Sequence, residues 1–403
     1  MTDAPTTAPG AAAPMFPLID VSAGAMPRDR GRLYGTAARA QCAVSRATYA
    51  RLFASCGIDW PTACSRALAY REVIAAIDAD LLDEMAGIAE GAGLELAEVL
   101  ALNCRTEILP PTFLGEADPV AAARALAANQ ALGLPDWLDE AVLDAAAGDG
   151  ECTAMVVSPA ASGDRHTWFA QNWDWIGRQR PALVLLRSHD GRGTAFTTLT
   201  EGGMLAKIGL NQHGFALGLN ILRSRGDGAK PGVAVHVLLR HLLSSPTLAH
   251  ARRVLADLQQ RLGFGAASNI PCADATGDVA CFEVAPAGWG ECRPTDGVVV
   301  HSNHFLCAPL VPEQVAPSSA LSTELRLVTA QRHAARRPLD QAALEAFLRD
   351  ETDGLLSVCR SPDPALAPEA RVESVAGVLI DCDARAMWVA PDVPSRAAFQ
   401  RVA

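Results

Sequence analysis

The sequence lacks any long uninterrupted apolar run, any Cys-x-x-Cys pair and any excess of basic residues. Its longest apolar stretches are broken by charge or glycine well short of the roughly 20 residues that a membrane-spanning helix needs. There are 34 Lys and Arg against 45 Asp and Glu, and the net charge of −11 argues against nucleic-acid binding, which depends on clustered cations. The 11 cysteines are an odd number, and no signal-peptide pattern is present, so we expect a cytoplasmic protein without a disulfide framework.

The first part of the chain is predicted to be helical after a disordered tail. Residues 1–14 are rich in Ala, Thr and Pro, a composition typical of disorder. Within 33–108, apolar residues recur at the spacing of one helix face, at Val73, Ile77, Leu81, Met85 and Ile88. Gly91 or Gly93 is expected to end that helix. We therefore treat 15–151 as a mainly helical part of one folded unit.

From Cys152 onward, short β-rich runs separated by turn residues predict antiparallel hairpins. The predicted strands are 155–158, 166–171, 182–187, 194–199, 215–221, 279–284, 298–301, 375–381 and 386–389. The predicted helices are 233–243, a second one opened by Ser245-Pro246, and then 321–336 and 339–349. Two antiparallel sheets packed face to face, with helices on both outer faces, would bury these strands, so the fold class is α+β.

Residues 109–151 are the unusual segment. Pro110-Pro111 interrupts the preceding structure, and 121–132 and 137–146 then predict two short helices. The segment is interpreted either as a surface insertion or as a propeptide-like piece that shields the site until cleavage.

Cys152 is the most informative residue of the sequence. A Gly/Asp/Glu-rich segment leads directly into Cys152, which opens an apolar β-type run. A thiol at a strand tip, after a flexible peptide bond, suits a protein that cleaves its own chain there and uses the freed cysteine as a nucleophile. The α-amine released at Cys152 would have a pKa of about 7.7–8, near working pH, whereas a lysine amine has about 10.4. Cys152 would then carry both nucleophile and base.

Two other interpretations of Cys152 stay open. All nine histidines follow Cys152, so an unprocessed thiol hydrolase could pair it with a histidine such as His213 or His304. A non-catalytic scaffold is the other alternative, because most free cysteines are small buried apolar residues.

A series of short motifs runs in order along nearly the whole chain. They are Arg32-Leu-Tyr-Gly35, the glycine-containing segment Glu84 to Gly93, Leu102-Asn-Cys-Arg-Thr-Glu-Ile108, Cys152-Thr153, Gln171-Asn-Trp-Asp174, Lys207-Ile-Gly-Leu-Asn211 with Gly214, His301-Ser-Asn-His304, and Ser357-Val-Cys-Arg360. Together they resemble the acyl-coenzyme A:6-aminopenicillanic acid acyltransferase family, the peptidase C45 group of N-terminal-nucleophile hydrolases. The penicillin-pathway enzyme has Gly before its nucleophile, where this chain has Glu151, and the connection from the Arg-Thr-Glu motif to the nucleophile is much shorter here.

The resemblance implies a four-layer αββα N-terminal-nucleophile hydrolase fold and a catalytic fragment, 152–403, that begins at the nucleophile. It also implies that Asn303 donates a hydrogen bond to the oxyanion formed when a thiol attacks an amide or thioester. The implied enzyme is a self-cleaving amidohydrolase or acyltransferase acting on small N-acyl amides or acyl thioesters.

Further candidate residues follow from the residue types themselves. Asp174 is expected to hold the ammonium form of the Cys152 amine or to orient a water. Asn172, on the same strand face by period two, is expected to support Asp174. Thr153 and Glu151 flank the scissile bond, and Glu151 is a candidate for assisting proton transfer during cleavage.

Three more side chains are candidates for substrate binding. Arg360 and Arg371 could anchor an acidic group, although each could equally be a solvated surface charge. Trp173 could line an acyl pocket, although core packing would also explain it.

We expect no metal and no bound cofactor. His301 and His304 invite a metal interpretation, but strand alternation places them on opposite faces. Acyl-coenzyme A is a candidate substrate rather than a cofactor. The predicted partners are therefore a small acyl donor and an amine or water acceptor, with fragments 1–151 and 152–403 forming a heterodimer.

Overall fold

The computed structural model describes residues 14–110, 119–134, 152–315, 320–366 and 371–403. Glu151, the predicted tail up to residue 13 and most of the predicted 109–151 insertion lie outside the described residues. The chain opens with strand β1 (Leu18–Asp20) and a series of helices: α1 (Pro27–Ala37), α2 (Arg39–Ser55), α3 (Trp60–Ala67), α4 (Arg71–Ile77), α5 (Ala79–Ala92), α6 (Leu96–Asn103), α7 (Arg105–Ile108) and α8 (Pro119–Ala131).

The apolar stripe predicted as one helix is divided between α4 and α5. Asp78 has extended backbone angles, φ −165° and ψ 112°, and its carboxylate accepts the backbone N–H of Asp80 at 3.1 Å. This N-cap starts a new helix in the middle of the stripe, so the single-helix prediction is wrong at that point. Gly93, in the left-handed conformation at φ 73°, ends α5 as predicted.

Helices α1 and α5 touch through glycines. A Cβ added to Gly31, Gly35, Gly87 or Gly91 would lie between 1.9 and 2.2 Å from a backbone oxygen of the opposing helix. Only glycine permits this approach, which gives a structural reason for the two glycine-containing motifs near the start of the chain.

The remaining strands form two sheets. Their bounds are β2 (Cys152–Val157), β3 (Trp168–Ile176), β4 (Leu183–His189), β5 (Ala195–Glu201), β6 (Ile208–Asn211), β7 (Ala216–Leu217), β8 (Asn220–Ile221), β9 (Ser268–Ala273), β10 (Val279–Ala285), β11 (Gly288–Cys292), β12 (Val298–His301), β13 (Val372–Asp381), β14 (Ala386–Ala390) and β15 (Gln400–Arg401). The later helices are α9 (Val235–Leu242), α10 (Leu248–Arg261), α11 (Ala320–Ala334) and α12 (Gln341–Leu348).

The larger sheet has the order β1-β4-β5-β6-β7-β9-β10-β11, with β8 also paired to β9, and the smaller has the order β12-β2-β3-β13-β14-β15. All pairs are antiparallel except β1 with β4. Strand β2 contacts β8, β9 and β10 of the larger sheet, so the sheets face each other. Helices α11 and α12 cover the outer face of the smaller sheet, and α1, α2 and α10 lie against the larger one. The α+β class and the αββα layer order are thus confirmed.

The predicted strands lie on observed strands, with shifted ends. Prediction missed β1, β6, β9, β11 and β15. The helix expected to open at Ser245-Pro246 begins after Thr247 instead, whose side chain accepts the backbone N–H of His250 at 3.2 Å. No helix in the described part of the chain is long and apolar enough to cross a membrane.

Candidate active site

Cys152 lies at the point where β2 begins, between β3 and β12. Cys152 is 3% exposed, and its cross-strand partner on β3 is Trp173. On the other side, His301 pairs with Ala154, and continuing this antiparallel register by two residues brings Asn303 beside Cys152. The backbone N–H of Cys152 donates to Asn303 Oδ1 at 2.8 Å. The structure therefore brings together two of the three residues predicted to be catalytic.

Arg326, on α11, is a site residue that sequence reasoning missed. Its Nη1 donates to the carbonyl oxygen of Cys152 at 2.6 Å and to Thr153 Oγ1 at 2.8 Å. Its Nη2 donates to Asn303 Oδ1 at 3.1 Å. The guanidinium is fully buried and holds the peptide group after Cys152 and the Asn303 amide in one geometry.

The inverted polarity of α11 hid Arg326 from pattern analysis. The buried face of this helix is largely polar and includes Ser322, Thr323 and Arg326, whereas Leu321 and Val328 are exposed. Apolar periodicity points to the wrong face in such a helix. Ser322, Thr323 and Arg326 lie on one helix face, but this polar face alone does not distinguish a buried face from a solvated one.

The amide of Asn303 is oriented with its oxygen toward Cys152. Nδ2 donates to the carbonyl oxygen of Ile221 at 2.9 Å. An amide nitrogen carries two hydrogens, so the oxyanion role predicted for Asn303 requires the hydrogen that Ile221 does not take. That role stays a prediction.

Asp174 reaches the site from the opposite face of the sheet. Its Oδ1 accepts the hydroxyl of Ser374 at 2.6 Å, and a hydrogen bond from the Asp174 backbone lowers the pKa of the Cys152 thiol. Asp174 is fully buried, so it belongs to the interior beneath Cys152 rather than to a solvated strand end.

Burial raises the pKa of the Cys152 thiol to about 12. The positive charges of Lys207 and Arg326 lower it, and the Asp174 carboxylate raises it. A thiol with such a pKa is almost wholly protonated at neutral pH, so its reaction as a nucleophile requires a base.

A buried cation cluster lies on the same side of the smaller sheet as the Cys152 side chain. Lys207 Nζ is 3.5 Å from the centroid of the Trp173 ring and 3.5 Å from Glu201 Oε1. The Arg105 guanidinium lies 3.8 Å from Glu201 Oε1. Trp173, predicted as an acyl-pocket candidate, is fully buried and packs against this cluster.

Other predicted residues have mainly structural contacts. Asn172 shares the face of Asp174, as predicted, but its Nδ2 donates to the carbonyls of Leu348 and Val358 at 2.8 and 2.9 Å, which ties β3 to the region of α12. Thr153 is held by Arg326.

Arg360 and Arg371, the two arginines predicted to anchor a substrate, have different surroundings. The backbone N–H of Arg360 donates to Ser374 Oγ at 2.9 Å, and that same hydroxyl donates to Asp174. Arg371 instead donates to the carbonyl of Leu366 at 2.9 Å, a local loop contact. The backbone of Arg360 thus lies beside Asp174, and the substrate-binding roles of both arginines stay predictions.

The histidines named for a Cys–His pair have other environments. His304 Nδ1 is 3.0 Å from Thr323 Oγ1, and its pKa is lowered mainly by burial. His213 is exposed. Neither forms a hydrogen bond with Cys152 among the residues described.

One group of possible metal ligands occurs in the described ranges: Glu283, Cys292 and Cys307. Glu283 already accepts the backbone N–H groups of Leu306 and Cys307 at 2.6 and 3.0 Å, and its Oε1 is 2.8 Å from His301 Nε2. These contacts give the carboxylate a structural function, since they shape the loop that carries Asn303. The expectation of no metal stays a prediction.

Comparison with known proteins identifies the family. Residues 161–396, more than half of the chain, match the model of a family described as "Acyl-coenzyme A:6-aminopenicillanic acid acyl-transferase". The chain belongs to this acyl-transferase family. The match includes Asp174, Asn303 and Arg326, while Cys152 precedes it.

One curated relative is the acyl-coenzyme A:6-aminopenicillanic-acid-acyltransferase 40 kDa form of Emericella nidulans. It is 26% identical over 226 residues, which is 56% of this chain and 51% of the relative. The chain thus matches about half the length of this acyl-transferase.

Solved structures with some likeness include penicillin V acylase from Agrobacterium tumefaciens and a mutant form of conjugated bile acid hydrolase from Clostridium perfringens. The first has a TM-score of 0.37 at 16% identity and covers 60% of this chain and 83% of that one. The second has a TM-score of 0.43 at 9% identity and covers 62% and 96%.

Proposed function

We propose that this protein is a self-cleaving cysteine N-terminal-nucleophile enzyme that hydrolyses or transfers the acyl group of small N-acyl amides or acyl thioesters. The observation that carries the proposal is the double anchoring of Cys152. Asn303 accepts its N–H at 2.8 Å and Arg326 donates to its carbonyl at 2.6 Å. Buried peptide groups always need partners, but here side chains from β12's end and α11 supply them and so hold the peptide groups of the nucleophile in one geometry.

In the first reaction, the Cys152 sulfur attacks the carbonyl carbon of residue 151. The peptide bond breaks, a thioester forms and the nitrogen of Cys152 leaves as an amine. Water then hydrolyses the thioester and releases the carboxylate of residue 151 and the Cys152 thiol. The products are fragments 1–151 and 152–403.

In the second reaction, the mature Cys152 accepts an acyl group from an amide or thioester and passes it to water or to an amine. The released α-amine acts as base, and Asn303 Oδ1 is already placed to accept one of its N–H groups and orient its lone pair. Hydrolysis and transfer share the same acyl-enzyme, so the acceptor decides between them. Family membership supports acyl transfer, but we favour amide hydrolysis over transfer because water is always present.

Intact mass measurement tests the first reaction. Purified protein is expected to separate under denaturing conditions into fragments 1–151 and 152–403, and Cys152→Ala is expected to remain one inactive chain. Wild-type protein that keeps its full mass would rule out self-cleavage. If that intact protein were nevertheless active, the unprocessed thiol hydrolase would be the correct interpretation.

Acyl donors test the second reaction. Acyl-coenzyme A thioesters and N-acyl amines with slow-leaving acyl groups are expected to add their acyl mass to fragment 152–403 at Cys152. An added amine that discharges the acyl-enzyme faster than water indicates transfer. A label on another cysteine would contradict the proposal.

A further inference from the structure

The proposed self-cleavage lacks a base before the chain is cut. In the mature enzyme the α-amine of Cys152 is available, but in the precursor that nitrogen is an amide and cannot accept a proton. The thiol is buried, and its pKa is raised to about 12. His213 is exposed and His304 lies against Thr323 of α11, on the outer face of the smaller sheet, so the first step needs another proton acceptor.

Lys207 lies on the side of the smaller sheet to which the Cys152 side chain points, where a proton acceptor is needed. Trp173 is the cross-strand partner of Cys152, so the two side chains point to the same side of the smaller sheet. Lys207 Nζ is 3.5 Å from the centroid of that Trp173 ring, and the side chain is fully buried. The charges of Lys207 and Cys152 act on each other, each favouring the charged form of the other.

The surroundings of Lys207 stabilise its charged ammonium form only weakly. Its hydrogen-bond partner among the described residues is Glu201, at 3.5 Å. The same carboxylate accepts from Tyr49 at 2.5 Å and from Gln179 at 3.2 Å, and it lies 3.8 Å from Arg105. No guanidinium nitrogen of Arg105 forms a hydrogen bond with a described residue.

Two buried cations therefore share one carboxylate. Burial and, to a smaller extent, the charge of Arg105 lower the pKa of Lys207 to about 7, against the opposing charges of Glu201 and Cys152. The charged and titratable groups around the Lys207–Cys152 pair are Glu201 on β5, Arg105 on α7, His236 on α9, Tyr49 on α2, Asp174 on β3 and Arg326 on α11.

We propose, on the basis of the self-cleavage function above, that Lys207 shares the thiol proton of Cys152 in the precursor and so makes the thiolate that begins self-cleavage. Because no direct hydrogen bond joins the two side chains among the described residues, the proton moves from Cys152 Sγ to Lys207 Nζ through one water, and the sulfur attacks the carbonyl carbon of residue 151. As the peptide bond breaks, the ammonium of Lys207 returns the proton to the departing nitrogen of Cys152. Lys207 ends the step as it began, and no oxidant or other reactant is required.

The choice of lysine is itself informative. The sequence contains two lysines, Lys207 and Lys230, against a large number of arginines, and Lys230 is exposed. Arginine at position 207 would preserve the charge but could not give up its proton at any working pH. The chain thus uses lysine at the buried position where proton exchange is needed.

The sign of the pH dependence follows from proton counting. At low pH the pair holds a thiol and an ammonium, while the reactive pair holds a thiolate and an ammonium, which is one proton fewer. Because the two groups are coupled, that proton is lost with an apparent pKa that belongs to the pair and follows the more acidic group, Lys207. Self-cleavage is therefore expected to accelerate as pH rises and to level off above about 7.

Cell-free synthesis of the full chain, followed by denaturing gels at several pH values, measures the cleavage rate directly. Lys207→Met is expected to slow cleavage at pH 7 by about 10²–10⁴-fold, the usual contribution of a general base. Lys207→Arg keeps a cation of similar bulk, so it is expected to fold but to lose the inflection near pH 7. Lys230→Met is the matched control and is expected to cleave normally.

An independent reading comes from the Cys152→Ala chain labelled with ¹³C at lysine Cε. It has two lysine signals, and that of Lys207 is expected to titrate near 7 while that of Lys230 titrates near the ordinary value of about 10.4. This measurement does not depend on cleavage or on the folding of a Lys207 variant.

The outcomes separate this inference from the proposed function. Wild-type chain that never cleaves overturns the self-cleavage function. Wild-type chain that cleaves, with Lys207→Met or Lys207→Arg cleaving at the same rate and with the same pH profile, overturns only the role of Lys207. A Lys207 signal that titrates above about 9 in Cys152→Ala also overturns that role.

Discussion

Arg326 is the residue on which the geometry around Cys152 depends most. It donates to the Cys152 carbonyl, to Thr153 and to the oxygen of Asn303, and it comes from a helix that lies on the other face of the sheet. A planar guanidinium can hold several acceptors in fixed directions, which the compact ammonium of lysine cannot. The position of Asn303 relative to the Cys152 nitrogen therefore depends on α11.

Arg326→Lys tests this dependence, because it keeps the charge and loses the planar set of donors. Each charge-assisted hydrogen bond lost costs about 1.5–3 kcal/mol, so we expect self-cleavage and turnover to be slower by about 10- to 100-fold. Arg332→Lys, on the exposed face of the same helix, is the control and is expected to behave like wild type. Near-normal rates for Arg326→Lys would show that the arginine serves the fold alone.

At the scale of elements, the success of prediction depended on whether an element follows the common polarity rules. Strands β2, β3 and β13 could be predicted because they contain runs of apolar, β-branched and aromatic residues, which are typical of buried strands. Strand β9 contains Ser, Asn and Pro, and was missed although it is entirely buried. Helix α11 was predicted, but Arg326 on its polar buried face was not, because a buried cation is recognisable only when its partners, distant in sequence, are known.

The Leu102–Ile108 motif connects the two predicted fragments. Asn103 Nδ2 donates to the carbonyl of Gly203, and its Oδ1 accepts the N–H of Leu205, at 2.9 Å each. Glu107, two residues after Arg105, accepts the backbone N–H of Val235, the first residue of α9, at 2.8 Å. The motif thus fixes α6 and α7 to elements that follow Cys152.

Glu107 is expected to make stability depend on pH. Burial raises its pKa to about 7, so the folded protein favours the neutral acid more than the unfolded chain does. The stabilisation is fully present below the unfolded value of about 4.3 and is lost as pH rises through about 7, a change of roughly 3 kcal/mol.

Denaturant unfolding in the single-chain Cys152→Ala background measures this effect. Relative to Glu107→Gln, the free energy of unfolding of the parent is expected to fall between pH 4.5 and 8, whereas the exposed control Glu72→Gln is expected to follow the parent. Parallel pH curves for the parent and Glu107→Gln would show that Glu107 does not titrate in this range.

At the scale of the whole molecule, the two predicted fragments share one core. Strand β1 pairs with β4 in parallel, with Leu18 opposite Leu185. The Tyr34 hydroxyl donates to the carbonyl of Glu201 at 3.0 Å, and the Tyr49 hydroxyl donates to its carboxylate. The main hydrophobic cluster contains residues from both sides of Cys152, so cleavage there would cut the chain through a shared core.

The last prediction concerns the cohesion of these fragments. After cleavage, 1–151 and 152–403 are expected to elute together from a sizing column in native buffer, at the volume of the uncleaved Cys152→Ala chain and independently of dilution. Separation should require denaturant, because dissociation would break the β1–β4 pairing and expose Tyr34, Tyr49 and the Arg105–Glu201 pair, all of which are buried. Release of fragment 1–151 in native buffer would mean that the helical part serves only the precursor, and that the mature enzyme is 152–403 alone.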